Sequence, residues 1–305
     1  MSALHTARVD SPTETRNPRT TEIDTVSTVE MLRLLNAEDS IVPHAVEEII
    51  PALAIVVDVA ADRLASGGRL HYFGAGTSGR VAVMDAAEVI PTFGVPPGVV
   101  IAHHAGGIGA LERPMENAED SVTLGESDAA DVTDRDVVVA LAASGRTPYA
   151  EGALRAGRAA GAFTVLVSAN PNASLAPLAD VHIGMDTGPE AIAGSTRLKA
   201  ATAQKLVLNC LSTAVMIRCG RTYSNLMVDV VAANAKLRGR VLTILADATG
   251  ADEAVCGDVL AAADGEMKTA IVCLLTDCPP DIARRALVQA DGHVRVAIAA
   301  LNNQR

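Results

Sequence analysis

A chain of 305 residues has room for one large domain and a smaller one, and its net charge of −11 leaves it without the basic surface that nucleic acid or an anionic membrane requires. Hydrophobic residues make up 49% but aromatic ones only 2%, with no Trp, so the core must be Ala, Val, Leu and Ile, which suits helices packed closely on a parallel sheet. Cys210, Cys219, Cys256, Cys273 and Cys278 form an odd set with no CxxC pair and read as buried, reduced thiols of a cytoplasmic protein. No signal-like apolar core opens the chain, and no run of about 18 apolar residues follows.

Residues 1–20 are polar and Pro-containing and are expected to be flexible. Residues 21–58 read as N-terminal helices. Ser27 or Thr28 caps one that runs through Leu35. Pro43 opens a second, long one, in which Val46, Ile49, Ile50, Leu53, Ile55, Val56, Val57 and Val59 leave hardly a polar side. A helix apolar on nearly all sides needs more than one neighbour to cover it, which points to an oligomer.

From 59 to 222, strands and helices alternate. Leu70–Phe73 is a short apolar run and reads as a buried strand, Gly74-Ala75-Gly76-Thr77-Ser78-Gly79 turns the chain, and a helix over Arg80–Val89 follows until Pro91 and Gly94 stop it. A Gly-rich turn of this kind presents backbone N–H groups at the positive end of a helix, an anion site for which phosphate is the expected guest. The same residues satisfy GxGxxG, yet dinucleotide binding also wants an acidic residue about 20 positions on. The next strand, Val99–Ala102, runs instead into His103 and His104.

A turn at Gly106–Gly109, a helical stretch over Leu111–Asp120 and an acidic loop over Gly125–Asp134 come next. Asp136–Ala143 is almost uninterruptedly apolar and predicts a central parallel strand. Ser144-Gly145-Arg146-Thr147-Pro148 then repeats the first device, with a helix from Tyr149 to Ala160, and two further strands are expected at Phe163–Ser168 and Val181–Met185. Such alternation implies right-handed crossovers and a parallel sheet with ligands at the carboxyl ends of its strands, where both Ser-rich turns fall.

A long helix is expected from Gly194-Ser195-Thr196-Arg197-Leu198-Lys199 to Arg218, with Ser195 and Thr196 as caps. Arg197, Lys199 and Lys205 oppose the helix dipole, so they are either solvated or facing an anion, and the two phosphate-type turns favour the second. Residues 223–245 read as a linker helix. Residues 246–305 read as a subdomain of three short helices, broken at Gly250, Gly257, Asp264-Gly265, Pro279-Pro280 and Gly292.

GAGTSGR (Gly74–Arg80), AASGRTPY (Ala142–Tyr149) and GSTRLKAATAQKLVLN (Gly194–Asn209) resemble the sugar isomerase (SIS) domain. More narrowly, they and the runs TEIDTVSTVEMLRLLNAED, DAAEVIPTFG, MENAED and YSNLMVDV resemble the N-acetylmuramic acid 6-phosphate etherase family, in order, over residues 14–300. The resemblance implies an α/β fold, a three-layer αβα sandwich with a parallel sheet, plus a small C-terminal helical subdomain similar to ubiquitin-associated domains. It also implies a homodimer, a sugar-phosphate substrate, and neither metal nor dinucleotide cofactor. The reaction it implies, in the recycling of peptidoglycan amino sugars, is cleavage of a D-lactyl ether to N-acetylglucosamine 6-phosphate and D-lactate.

Such a reaction needs particular groups. In the open-chain sugar the C2 hydrogen is α to an aldehyde and the C3 ether oxygen is a β leaving group. One carboxylate can take the C2 proton, and a protonated one can donate to the departing lactate and later activate water. The resemblance places the acid at Glu88 and the C2 base at Glu119. Val83, Val89, Ile90 and Phe93 around Glu88 predict partial burial and a raised pKa. Glu88 follows Ser78 by ten residues, or about 15 Å along a straight helix. That is long for one sugar phosphate, so either the substrate lies along the helix or Glu88 serves a neighbouring subunit's site, and the over-apolar early helix favours the second. Thr77, Ser78, Ser144 and Thr147 are expected to hold the 6-phosphate, with Ser195 and Thr196 behind them. Arg146 and Lys199 are further candidates for the substrate's phosphate or carboxylate, while His71, His103 and His104 read as structural. AAEVIPTF departs from the family's SECPPTF-like run beside Glu88. A non-catalytic sugar-phosphate-binding regulator and a phosphosugar isomerase of the same domain family are the alternatives.

Overall fold

The computed structural model describes residues 11–113, 115, 117–230 and 235–303. Two compact units emerge, one built from the chain up to Ala86 with Gly98–Leu211, the other from Ala87–Pro97 with Ser212 onward.

The first unit opens with a segment that is not loose. Ser11, Thr13, Asn17 and Thr20 are buried, so the flexibility expected of residues 1–20 does not hold from Ser11 on; residues 1–10 lie outside the described residues. Helix α1 (Thr28–Asp39) is capped by Ser27, whose Oγ accepts from the Glu30 amide at 3.4 Å. The single long apolar helix expected next is two, α2 (Val42–Glu47) and α3 (Ile50–Ala65), with a bend of 60° at the break between the α1–α2 stretch and α3. Pro51, in the first turn of α3, has no N–H to continue the preceding turn, and its ring would strike the carbonyl of Glu47.

There follow β1 (Leu70–Gly74), α4 (Gly76–Phe93), β2 (Val100–His104), α5 (Gly109–Glu112), α6 (Val122–Asp128), β3 (Val137–Leu141), α7 (Pro148–Ala159), β4 (Phe163–Ser168), β5 (Val181–Gly184) and α8 (Lys199–Arg218). All five strands are parallel, in the order β2-β1-β3-β4-β5, with Leu70 level with both Val100 and Val137. Every residue of β1 and β3 is buried, as near-continuous apolar runs in a covered parallel sheet should be. The result is a three-layer αβα sandwich. Helix α8 is apolar and long enough by composition to cross a membrane, with a mean hydropathy of 1.3, but 56% of that stretch is buried inside the protein.

Two details differ from expectation. Helix α4 starts earlier, at Gly76, and runs through Pro91 to Phe93, because a proline so close to the helix end forfeits little. The helical stretch expected over Leu111–Asp120 is only α5, and Asn117 takes the left-handed φ of 66°, which no helix accommodates.

The strand order has a functional corollary. The chain steps from β1 outward to β2 and then returns across β1 to β3, so its direction of winding reverses between the first and third strands. A crevice opens outside the carboxyl ends of strands at such a switch point.

In the second unit, residues expected to begin a linker helix form instead a two-stranded antiparallel hairpin, β6 (Thr222–Tyr223) and β7 (Leu226–Met227), with Ser224 at φ 53° in its turn. Helix α9 (Ala235–Thr249) follows, and then four short helices where three were expected: α10 (Glu253–Ala262), α11 (Met267–Thr276), α12 (Pro280–Gln289) and α13 (Val294–Asn302). Gly257 lies inside α10 without breaking it, which costs only about 1 kcal/mol. Leu245, Cys256, Ala270, Ile271, Val272, Ala283 and Ala297 form the core of this unit. Cys256 and Cys273 are buried as expected, but Cys210 is exposed and Cys219 and Cys278 are half-buried.

Candidate functional site

The first Ser/Thr turn joins β1 to α4. Gly76 adopts φ +55°, and Gly79 lies so tightly against the strand end that a Cβ there would come within 2.4 Å of the Gly74 oxygen and 2.5 Å of His104 Cδ2. The turn is thereby pressed onto the sheet, with the opening amides of α4 and the side chains of Thr77 and Ser78 at its mouth. His104, buried at the end of β2, lies beneath it, with Nδ1 2.9 Å from the Ala105 oxygen and Nε2 3.2 Å from the Gly76 oxygen. Arg80 donates from Nε to the Leu111 oxygen at 2.7 Å and from Nη2 to the Ala110 oxygen at 3.0 Å, tying α4 to the loop that follows β2.

The second turn joins β3 to α7. Pro148 is the first residue of the helix, and Thr147 occupies the capping position without using its side chain as a cap. A hydroxyl spared from capping is available to a ligand. Asn170, just beyond β4, donates to the Ser144 oxygen at 3.0 Å and steadies the turn from the neighbouring strand.

Because β1 and β3 are adjacent at the switch point, both turns open on one cavity of about 860 Å³. Thr77, Ser78, Ser144, Arg146, Thr147 and Thr196 line it, and so does Glu119, which is exposed. Four further polar side chains on its walls were not among the expected site residues: Glu14, Arg80, His104 and Asn117. Asp120 completes the acidic rim beside Glu119.

Three expected site residues are not brought to the cavity wall. Ser195 is half-buried in the turn before α8. Lys199 is wholly buried, with Nζ 2.7 Å from Glu38 Oε2, so the anion it faces is a side chain of its own protein. Its amide and that of Ala200 each donate at 2.9 Å to the Glu190 carboxylate, which closes the start of α8; burial pushes the Glu190 carboxyl above its ordinary range. Glu38 also receives Arg19 Nε at 2.5 Å and Asn17 Nδ2 at 2.8 Å. Chiefly the Arg19 hydrogen bond, with Lys199 and Asn17 adding to it against the effect of burial, holds Glu38 at about 2.

Glu88 is the third. It is exposed on α4, and the burial expected of it does not occur. Its apolar companions Val89 and Phe93 turn inward on the other face, while Glu88 shares a helical face with exposed Met84 and Pro91. One turn before it, Asp85 is buried, receiving Tyr72 Oη at 3.0 Å and Asn209 Nδ2 at 2.6 Å, and this fixes the rotation of α4 about its axis.

The histidines expected to be structural divide. His71 and His103 lie in the sheet, with His71 Nδ1 3.0 Å from His103 Nε2 and the His103 ring stacked 4.2 Å from Phe73. Burial, followed by the His103 and Arg69 charges, pulls His71 down to about 4. His104 alone belongs to the cavity.

Comparison with known proteins bears on what this cavity takes. Residues 110–214 match the SIS domain, and residues 52–158 match the N-terminal SIS domain of glucokinase regulatory protein. The chain is 58% identical over 276 residues to the N-acetylmuramic acid 6-phosphate etherase of Thermobifida fusca, covering 90% of this chain and 91% of that one. It is 51% identical over 289 residues to the etherase of Brucella anthropi, covering 94% of each. Among solved structures, a phosphoheptose isomerase from Francisella tularensis superposes with a TM-score of 0.51 at 15% identity, over 63% of this chain and all of that one. At that identity the likeness shows a shared fold alone.

Proposed function

Since the chain belongs to the N-acetylmuramic acid 6-phosphate etherase family, we propose that it is a carbon–oxygen lyase that converts N-acetylmuramic acid 6-phosphate and water into N-acetylglucosamine 6-phosphate and D-lactate. The observation that carries the reading is the convergence of Thr77, Ser78, Ser144 and Thr147, from two helix-opening turns, on a cavity that also holds Glu119. The hydroxyls and the free amides of the turns take the 6-phosphate, and Arg146 offsets its charge.

With the phosphate anchored, the open-chain sugar extends toward the acidic rim. Glu119 removes the proton at C2, the C3–oxygen bond breaks, and a protonated Glu88 donates to the departing lactyl oxygen. The products of this first half are an α,β-unsaturated aldehyde and D-lactate. Glu88, now a carboxylate, takes a proton from water as the water adds at C3, and Glu119 returns the proton to C2. An acid that must reprotonate each cycle and a base that must deprotonate are two carboxyl groups kept in different environments.

Glu88 acts in the site of the partner subunit of a homodimer. Its exposure in the single chain, on a face with Met84 at 46% exposure and with Pro91, supports a surface completed by a second copy. This reading sets the enzyme in amino-sugar metabolism in the cytoplasm, with no cofactor. Incubation of the purified protein with N-acetylmuramic acid 6-phosphate tests it: D-lactate appears, and the product carries solvent deuterium at C2 and solvent oxygen at C3. No lactate overturns the reading, and isomerised sugar phosphate without lactate replaces it with the isomerase alternative.

A further inference from the structure

We propose that Glu14 reads the sugar portion of the ligand: its carboxylate accepts hydrogen bonds from neutral donors, a hydroxyl or an amide N–H, and sets which end of a sugar phosphate occupies which end of the cavity. The proposal rests on the sugar-phosphate reading of the cavity given above and adds a residue and a direction to it.

The observation behind it is how much structure serves to place this one side chain. Ser11, Thr13, Asn17 and Thr20 are buried although the segment is polar and has little apolar area to offer. What holds it is a set of specific bonds to the loop before α8. The Thr13 oxygen accepts from the Gly194 amide at 3.0 Å, Asn17 Nδ2 donates to the Pro189 oxygen at 3.1 Å, and Thr20 Oγ1 donates to the Ala191 oxygen at 2.7 Å. Asn17 and Arg19 also converge on Glu38, which binds Lys199 at the start of α8. Ordering a backbone residue costs about 1–2 kcal/mol, and a segment with no core of its own meets that cost only through such bonds.

Within this strap Glu14 alone is aimed into the cavity, from the short helical turn Pro12–Glu14. A Cβ on Gly194 would lie 2.9 Å from Glu14 Oε2, and Gly194 itself adopts φ +76°, so the loop that seats the strap leaves room beside the carboxylate. The Glu14 amide donates to the Ser11 oxygen at 3.0 Å, but among the described residues its carboxylate has no hydrogen-bond or ion-pair partner. A carboxylate is an acceptor only. Beside a phosphate it would repel, so it marks the end of the cavity that takes uncharged donors. A ligand with a phosphate at one end and hydroxyl or amide groups at the other satisfies both ends in one orientation.

The test compares two ligands by calorimetry on the full-length wild-type protein, E14A and E14Q: inorganic phosphate and N-acetylglucosamine 6-phosphate. In E14A the sugar phosphate weakens by roughly tenfold or more, as loss of hydrogen bonds to a charged group implies, while inorganic phosphate binds as well or better. E14Q, which keeps an acceptor oxygen but not the charge, weakens the sugar phosphate by a smaller factor and likewise does not weaken inorganic phosphate. A strap that merely braced the cavity would weaken both ligands together, and that outcome, or an unchanged sugar-phosphate affinity in either variant, overturns the proposal. Failure of the wild-type protein to bind either ligand would instead overturn the sugar-phosphate reading itself. A wild-type protein that binds both but releases no lactate overturns the etherase reading alone and leaves Glu14 to be judged on the variants.

Discussion

Lys199 and Glu38 meet at 2.7 Å with both side chains closed to solvent, joining the start of α8 to the end of α1 across 161 residues of sequence. Breaking a buried pair by removing one partner leaves the other charged in a place where water cannot reach it, at a cost of about 3–5 kcal/mol. E38Q, which strands the buried Lys199, is expected to lower the urea-unfolding free energy by about that much, and K199M by less, because Arg19 and Asn17 still hold Glu38; a value near zero for E38Q would mean the pair is solvated in solution.

The same carboxylate sets an acid limit. Glu38 is held at about 2 in the folded chain, well below the usual carboxylate range. Its contribution is therefore complete above the unfolded value near 4.5 and is lost as the pH falls from there toward 2. In E38Q the fall in thermal midpoint over that window should be shallower than in the wild type.

His71 titrates in a separate window. Its folded value lies near 4, below the ordinary 6.5, because burial keeps the ring neutral. The unfolded chain takes up the proton first, so stability is whole above about 6.5 and declines as the pH drops from there to about 4. H71L should flatten that limb while leaving the one below it intact; an unchanged slope would assign the loss to other groups.

Subunit exchange tests where Glu88 acts. On the proposed homodimer, E88A and E119A should each lose roughly 10²–10⁴-fold in the rate of D-lactate release. Mixed dimers made by co-expression contain one site with Glu119 from one chain and Glu88 from the other. They should recover up to half of wild-type activity, whereas recovery of none would place both carboxylates in the same chain.

Thr147 offers a clean view of the phosphate turns because its hydroxyl does not cap α7. T147V is expected to raise KM by roughly tenfold, the effect of one lost hydrogen bond to a charged ligand, with the thermal midpoint unmoved. A fall in the midpoint with KM unchanged would return Thr147 to a structural role.

Local chemistry made much of this molecule legible in its sequence, and distance in sequence hid the rest. Leu70–Phe73 followed by GAGTSG, and DVVVALAA followed by SGRTP, announce strands and anion turns because apolar runs and glycines act within a few residues. That the turns lie side by side follows from the strand order, which no single turn encodes. Lys199 read as a ligand group because its partner, Glu38, is remote in sequence. Glu88 read as buried because Val89 and Phe93 stand close in the chain, yet they occupy the opposite face of the helix. Pro51 was the visible sign of the break before α3 and lay hidden in an apolar run. Glu14 gave no signal because the loop that seats its strap, residues 189–194, lies far along the chain.

That last dependence has a temporal side. The strap is made well before its partners: Thr20 must wait for Ala191, 171 residues later, and Asn17 for Pro189, 172 later. At typical rates of synthesis the delay is on the order of ten seconds or more. Through that interval the nascent chain has its first glycine-rich turn but not the loop that seats Glu14.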